Sequence, residues 1–296
     1  MKNVITPSNT KELLKQFEFR MTKRLGQNFL IDKGILDEII QGAELTKEDH
    51  VLEIGPGMGS MTQKLCESAG KVVAVEIDKK LIPVLNVTLS EYDNVKVINH
   101  DVLRVDLKAL LEEHFGTKTV KVVANLPYYI TTPIIMKLLE ERLNLSSITI
   151  MVQKEVGDRI KAAPGSKVYG ALSVAVQYYA KPTQLLLVPP SSFIPRPEVD
   201  SIVLKLDILS KPAVQVQDEN LFFRVVKSAF GQRRKTLLNA LAAGNMGLTK
   251  EQFKEILANV EIDENRRGET LSLQEFANIT NELCNIYSTK HFTVIK

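Results

Sequence analysis

From residue 51 to about 207 the chain repeats one pattern. A short apolar, β-branched run is followed by a longer stretch in which apolar positions recur at helical spacing. The runs are VLEIG (51–55), KVVAVEI (71–77), VKVIN (95–99), VKVVAN (120–125), SITIMVQ (147–153), QLLLV (184–188) and SIVLKL (201–206). Runs of this kind suit strands covered on both faces, and helices between them imply parallel neighbours. Seven such strands predict an α/β fold with a mainly parallel, doubly wound sheet. Only the loop VPPSSFIPRPEVD separates the last two runs, so these are expected as an antiparallel pair at one edge.

Beyond LSKPA (209–213) the pattern becomes helical throughout. Asp218 precedes a stripe of Leu221, Phe222, Val225, Val226, Ala229 and Phe230. Thr249 with Gln252, and Ser272 with Glu275, have the spacing of capping boxes. Phe276, Ile279, Leu283 and Ile286 then repeat at helical intervals. Two domains are expected: an α/β domain over 1–208, including a basic helix and loop at 1–33, and a small all-helical domain over 209–296.

A chain of 296 residues has room for both, and 44% hydrophobic content is enough for packed cores. Cys66 and Cys284 stand far apart in sequence and the four histidines are scattered, which excludes a disulfide framework and offers no metal-ligand spacing. No secretory leader or membrane span is visible, so a cytoplasmic protein without metal or membrane partners is expected. The net charge of +3 says less than its distribution. Residues 1–33 carry seven Lys/Arg, Lys23 and Arg24 among them, against three acids. Residues 221–247 carry Arg224, Lys227, Arg233, Arg234 and Lys235 with no acid. Such clusters suit a polyanion such as nucleic acid; the bland reading is a solubilising surface.

In an open parallel sheet, ligands bind beyond the carboxyl ends of the strands. Here the first strand runs into Glu53-Ile54-Gly55-Pro56-Gly57-Met58-Gly59, the second ends at Glu76-Ile77, the third at Asp101-Val102 and the fourth at Asn125. Glycine at alternate positions lets backbone approach a ligand closely. Glu76, 21 residues after Gly55, stands where an acid would bond a ribose diol. The glycine spacing departs from G-x-G-x-x-G and favours S-adenosylmethionine, which has no pyrophosphate, over a nicotinamide dinucleotide.

Asn125-Leu126-Pro127-Tyr128-Tyr129-Ile130 closes the fourth strand. An amide acceptor, carbonyls whose directions a proline fixes, and a flat ring match an exocyclic amine on a planar base. Acceptors on both amine hydrogens favour a pyramidal nitrogen and aim its lone pair. No general base is required, because the ammonium formed by methylation is acidic. Catalysis would be mostly positioning. A base within folded nucleic acid must first be extruded. Phe193, in a loop stiffened by Pro189, Pro190, Pro195 and Pro197, is either a second plate for that base or a core plug. Tyr129 is expected in the core and His100 as polar filler.

These motifs resemble the rRNA adenine N(6)-dimethyltransferases, specifically their bacterial small-subunit branch. The resemblance covers nearly the whole chain: KRLGQNFL (23–30), EIGPGMGSMT, VEID, HDVL, NLPYYI, FIPRPEVDS (193–201), FGQRRKTL (230–237) and ETLSL (269–273). It implies a class I (Rossmann-like) methyltransferase domain and dimethylation of two adjacent adenosines near the 3′ end of 16S rRNA in an immature small subunit. It also implies that Asn28 and Leu30 close over the cofactor, that Gly55 and its neighbours line the methionine part, and that Glu76 holds the ribose. Asp101 would take the cofactor's adenine amine, and Tyr128 and Phe193 would sandwich the target. A monomer is expected. Three alternatives stand beside this. The 23S rRNA methyltransferases of macrolide resistance tend to be shorter at the C-terminus. A nicotinamide oxidoreductase leaves NLPYYI without a role. A non-catalytic RNA-binding assembly factor would not need a full set of cofactor residues.

Overall fold

The computed structural model describes residues 6–18 and 26–293. Its strands are β1 (Phe29–Leu30), β2 (His50–Ile54), β3 (Lys71–Glu76), β4 (Val95–Asn99), β5 (Val120–Asn125), β6 (Leu145–Gln153), β7 (Ala180–Val188), β8 (Phe193–Ile194) and β9 (Ser201–Ile208). Helices follow as α1 (Pro7–Gln16), α2 (Lys33–Gly42), α3 (Ser60–Ser68), α4 (Ile82–Thr88), α5 (Leu107–Phe115), α6 (Thr131–Glu140), α7 (Lys154–Ile160) and α8 (Ala171–Tyr179), then α9 (Glu219–Gly231), α10 (Leu237–Ala242), α11 (Lys250–Asn259) and α12 (Leu273–Thr293).

The chain forms two compact units. One runs up to Gly157 and resumes over Lys181–Ile208; the other comprises Asp158–Ala180 and everything from Leu209 on. A single cut after residue 208 therefore misplaces one segment. Residues 158–180, read from sequence as part of the first domain, pack with the helical unit.

All seven expected runs are strands of one sheet, ordered β4-β3-β2-β5-β6-β9-β7. Strands β4, β3, β2, β5 and β6 are parallel, and β9 enters antiparallel to β6 with β7 outside it. Strand order reverses between β2 and β5, so a ligand crevice is expected above their carboxyl ends. Three inner strands, β2, β3 and β5, explain their own composition. Val51, Leu52, Val72, Val73, Val122 and Val123 are all at most 1% exposed, because helices cover both faces. Each such side chain contributes roughly 1.5–3 kcal/mol by leaving water. A two-stranded ribbon, β1 paired antiparallel with β8, was not foreseen.

In the helical unit, α8 packs on α9. Tyr178 stacks on Phe222 with centroids 4.9 Å apart, and both tyrosine hydroxyls of Tyr178 and Tyr179 donate to the Glu219 carboxylate. Both capping boxes read from sequence form, Thr249/Gln252 and Ser272/Glu275 bonding reciprocally, and Asp218, which precedes the apolar stripe, also caps its helix by accepting from the Leu221 N–H. No helix among the described residues is long and apolar enough to cross a membrane.

Candidate active site

An open cleft of about 810 Å³ lies at the carboxyl ends of β2, β3 and β5. Gly55, Gly57, Glu76, Ile77, Asn125, Leu126, Pro127 and Tyr128 line it, with Asn28 and Leu30 from the preceding loop.

The glycine turn is shaped by two needs. Gly57 has φ +58°, and a Cβ there would stand 3.0 Å from the Phe29 ring. Gly59, at φ +92°, caps α3, and a Cβ would lie 2.9 Å from the Thr88 hydroxyl oxygen. Side chains at either position would be strained and crowded.

Glu76 is 4% exposed. Its Oε2 accepts from the Gly57 N–H at 3.1 Å and its Oε1 from the Asp78 N–H at 2.8 Å. Burial nevertheless pushes its carboxyl up to about 7, against those bonds. Asp78 in turn accepts from the Gln27 side chain at 2.7 Å, which ties the N-terminal loop to the end of β3. The Asn99 amide donates to the Glu76 carbonyl at 2.7 Å and holds the ends of β3 and β4 together.

Glu53 is a cleft residue that the sequence reading passed over. It is 1% exposed, and its Oε2 has no hydrogen-bond partner among the described residues. Burial pushes its carboxyl up to about 8, with a smaller opposing pull from the Thr62 hydroxyl and a further upward push from Glu76. An acid in the middle of an otherwise apolar strand was the available signal.

Around Asn125 the bonds leave a particular set of acceptors open. The Asn125 side-chain N–H donates to the Asn28 carbonyl at 3.1 Å. That fixes the amide plane and leaves Oδ1 without a donor among the described residues. Pro127's carbonyl already accepts from the Ile130 N–H and the Thr131 hydroxyl, at 3.2 and 3.0 Å. A carbonyl has two lone pairs, so the adjacent acceptor still available is Leu126's. Tyr128 is half-buried and its hydroxyl lies 2.6 Å from that of Ser201. Burial raises the phenol's pKa against the smaller pull of Ser201.

Several expectations land elsewhere. Phe193 is 1% exposed and packs in the core with Leu30, Leu36, Ile39 and Val188. Its ring is packed in the core as the structure stands, and it is not among the residues lining the cleft. Tyr129 shows the opposite error: it is 52% exposed and lines the cleft. Asp101 and Val102 are not among the lining residues. Asp101 accepts from the Leu103 N–H and faces Arg104, and Val102 is buried. In the helical unit, Arg233 donates to the carbonyls of Lys167 and Tyr169 and pairs with Glu269. Arg234 and Lys235 are exposed beside it, and Lys227 is exposed on α9. Lys23 and Arg24 lie outside the described residues. No group of three metal-ligating side chains occurs among the described residues.

The sequence model of the ribosomal RNA adenine dimethylase family matches residues 18–279. The chain belongs to this family. Among relatives, it is 57% identical to the ribosomal RNA small subunit methyltransferase A of Alkaliphilus oremlandii, over 96% of this chain and 99% of that one. It is 50% identical to the protein of the same name from Clostridioides difficile, over 95% and 97%. The crystal structure of a dimethyladenosine transferase from Plasmodium falciparum superposes with a TM-score of 0.74 at 27% identity, covering 87% of this chain and 98% of that one. The 23S rRNA methyltransferase ErmE matches with a TM-score of 0.66 at 22% identity, covering 87% and 100%, a likeness of fold alone. For an adenine dimethylase, the cleft has the elements its chemistry asks for: a backbone-lined floor, buried acids and an amide at the rim.

Proposed function

We propose that this dimethylase transfers methyl groups from S-adenosylmethionine to the exocyclic nitrogens of two adjacent adenosines near the 3′ end of 16S rRNA. It acts on the immature small subunit, in the cytoplasm, as a monomer and without metal. The relatives' names and the near-complete mutual coverage support the choice of small-subunit rRNA. The observation that carries the chemistry is the Asn125 amide: it is held by the Asn28 carbonyl, its oxygen accepts from no donor among the described residues, and it lines the cleft beside Leu126 and Tyr128.

The residues present fit the cofactor. Glu53's unpartnered oxygen, buried in the cleft wall, suits an ammonium. Glu76, already oriented by two backbone N–H groups, retains lone pairs for ribose hydroxyls. Ile77, 43% exposed, offers an apolar face to a purine. The cofactor supplies an electrophilic methyl group on a sulfonium. The chain's own part is to position the acceptor. Asn125 Oδ1 and the Leu126 carbonyl accept the amine's two N–H bonds, Tyr128 stacks on the base, and the lone pair is thereby directed away from the ring. Lys23, Arg24, Arg224, Lys227, Arg234 and Lys235 contribute attraction for the RNA backbone, and Arg233 adds its charge while holding its own unit together.

The test is methylation in vitro of unmodified small and large subunits, read by nucleoside mass spectrometry and mapped by primer extension. Dimethyladenosine at two adjacent positions near the 3′ end of 16S rRNA is expected. Methylation confined to 23S rRNA would replace this reading with the macrolide-resistance activity.

A further inference from the structure

Ser201 opens β9 and is fully buried, yet its hydroxyl is polar and sits 2.6 Å from that of Tyr128. Tyr128 belongs to the turn after β5, and β6 lies between β5 and β9. Ser201 pairs in register with Gln153, the last residue of β6. The bond therefore bridges the carboxyl end of β6 to join two strands that are not neighbours. Burying a hydroxyl is unfavourable unless it is hydrogen-bonded, and alanine would satisfy the packing at 201 without that demand.

The bond fixes the far end of a ring. A tyrosine anchored only through Cβ keeps freedom about χ1 and χ2. Held at its hydroxyl as well, the ring has a defined plane. That plane matters only if something must lie flat against it, and Tyr128 lines the cleft beside Asn125.

We propose that Ser201 is a positioning residue for the target base: its hydroxyl pins the Tyr128 ring so that an extruded adenine stacks with its amine at Asn125 and Leu126. This rests on the base-amine reading above and deepens it. Ser201 touches neither cofactor nor base; it acts through Tyr128.

The test is a cycle of four proteins: unaltered, Ser201→Ala, Tyr128→Phe, and both together, assayed on unmodified small subunits. Each single change is expected to lower kcat/KM for the RNA by about 5- to 10-fold, the weight of one partly buried hydrogen bond. The double variant should lose no more than either single one, since both remove the same bond. The cofactor dissociation constant, measured by calorimetry without RNA, should stay within about twofold, which a general loosening of the fold would not allow. A hairpin RNA with 2-aminopurine at the target position gives a second readout. Stacking on Tyr128 quenches its fluorescence, so emission in the complex should be brighter with Ser201→Ala. If Ser201→Ala retains full kcat/KM, or the double variant loses the product of the two single effects, the pinning role is wrong. Asn125→Ala in the same assay separates the two readings: full turnover there would sink the base-amine chemistry itself, whereas an inactive Asn125→Ala beside a fully active Ser201→Ala would sink only the role of Ser201.

Discussion

The two ends of the sheet treat their acids in opposite ways. At the amino end, Asp49 sits just before β2 and accepts from the Thr46 N–H and hydroxyl and from Lys121. Burial alone would raise its carboxyl, but these partners outweigh it and hold the pKa below the ordinary value. Glu44 is lowered likewise, by its bond to Lys205. At the carboxyl end, Glu53 and Glu76 are buried with no cationic partner among the described residues, and both are pushed up, to about 8 and about 7. Asp49 and Glu53 are separated by only three residues of one strand. The difference is one of use. The amino-end acids are satisfied by cations of the fold, whereas Glu76 has only backbone N–H partners and Glu53 Oε2 has none among the described residues, which is the state proposed above for groups that await a ligand. Such unspent polar groups mark a site in a way that an ion pair does not.

The largest effect should come from the side chain proposed to meet the reacting nitrogen. Asn125→Ala is expected to lower single-turnover methylation by roughly 100- to 1000-fold, the scale for losing a preorganised polar contact to the reacting centre. Cofactor affinity should change far less. A variant that methylates at the full rate would remove the contrast between spent and unspent groups at its centre.

Glu76→Ala comes next. It removes the acceptor proposed for the ribose and releases the Gly57 and Asp78 N–H groups. Calorimetry should find cofactor binding weakened by on the order of 100-fold, as for a hydrogen-bonded charged group with its partners left unpaired. RNA binding at low salt should survive, and log K should still fall linearly with log salt. RNA affinity that ignored salt would remove the basis for assigning the basic residues to RNA.

How much of this contrast was readable in advance depends on what each residue's environment is made of. The five inner strands were, because burial on both faces forces apolar, largely β-branched runs, and the edge strands β4 and β7 were because they too are short apolar runs, although little of either is buried. The caps on α11 and α12 were, because capping is a local matter of three residues. Glu76 and Asn125 were, because they sit at strand ends, where polar residues stand out. Phe193 and Tyr129 were not. Whether an aromatic faces a core or a cleft is decided by long-range pairing, here Phe193 opposite Leu30 in a ribbon too short to have a pattern of its own. The segment 158–180 was misassigned because ALSVAVQYY, in α8, is apolar nearly all round and gives no face from which to infer a partner. Asp101 was expected in the site from its position after β4, and here one of its carboxylate oxygens accepts from its own loop at the Leu103 N–H.

The two ends should also respond to pH with opposite signs. An acid whose folded pKa is raised contributes stability that is complete below its unfolded value, near 4.5, and is lost as pH rises through the folded one. Glu53 and Glu76 should therefore destabilise the cofactor-free protein increasingly between about pH 5 and pH 8. Asp49, whose pKa is lowered, contributes stability present above the ordinary aspartate value and lost as pH falls through its folded one. Glu53→Gln isolates the first effect. At pH 8.5 it should stabilise the cofactor-free protein by on the order of 2 kcal/mol, a rise of several degrees in Tm, and by much less at pH 5. Equal shifts at both pH values would mean that the Glu53 carboxyl is not held neutral by its surroundings.

The smallest effect belongs to the amino end. Lys121 donates to the Asp49 carboxylate at 3.1 Å and to the Glu44 carbonyl at 2.7 Å, and its side chain is 18% exposed. Lys121→Met keeps the apolar stem and removes the charge. Partial exposure screens the pair, so the cost should be about 1 kcal/mol or less near neutral pH, fading as Asp49 protonates in acid. Methylation kinetics at a temperature well below Tm should not move, because β5 transmits no charge along its length to Asn125 at its other end. Urea unfolding at pH 7 and pH 4, run beside a turnover assay, checks both halves. A turnover loss exceeding about threefold in a protein still fully folded would show that the two ends are coupled, and the division between groups that hold the fold and groups that wait for ligand would fail at that strand.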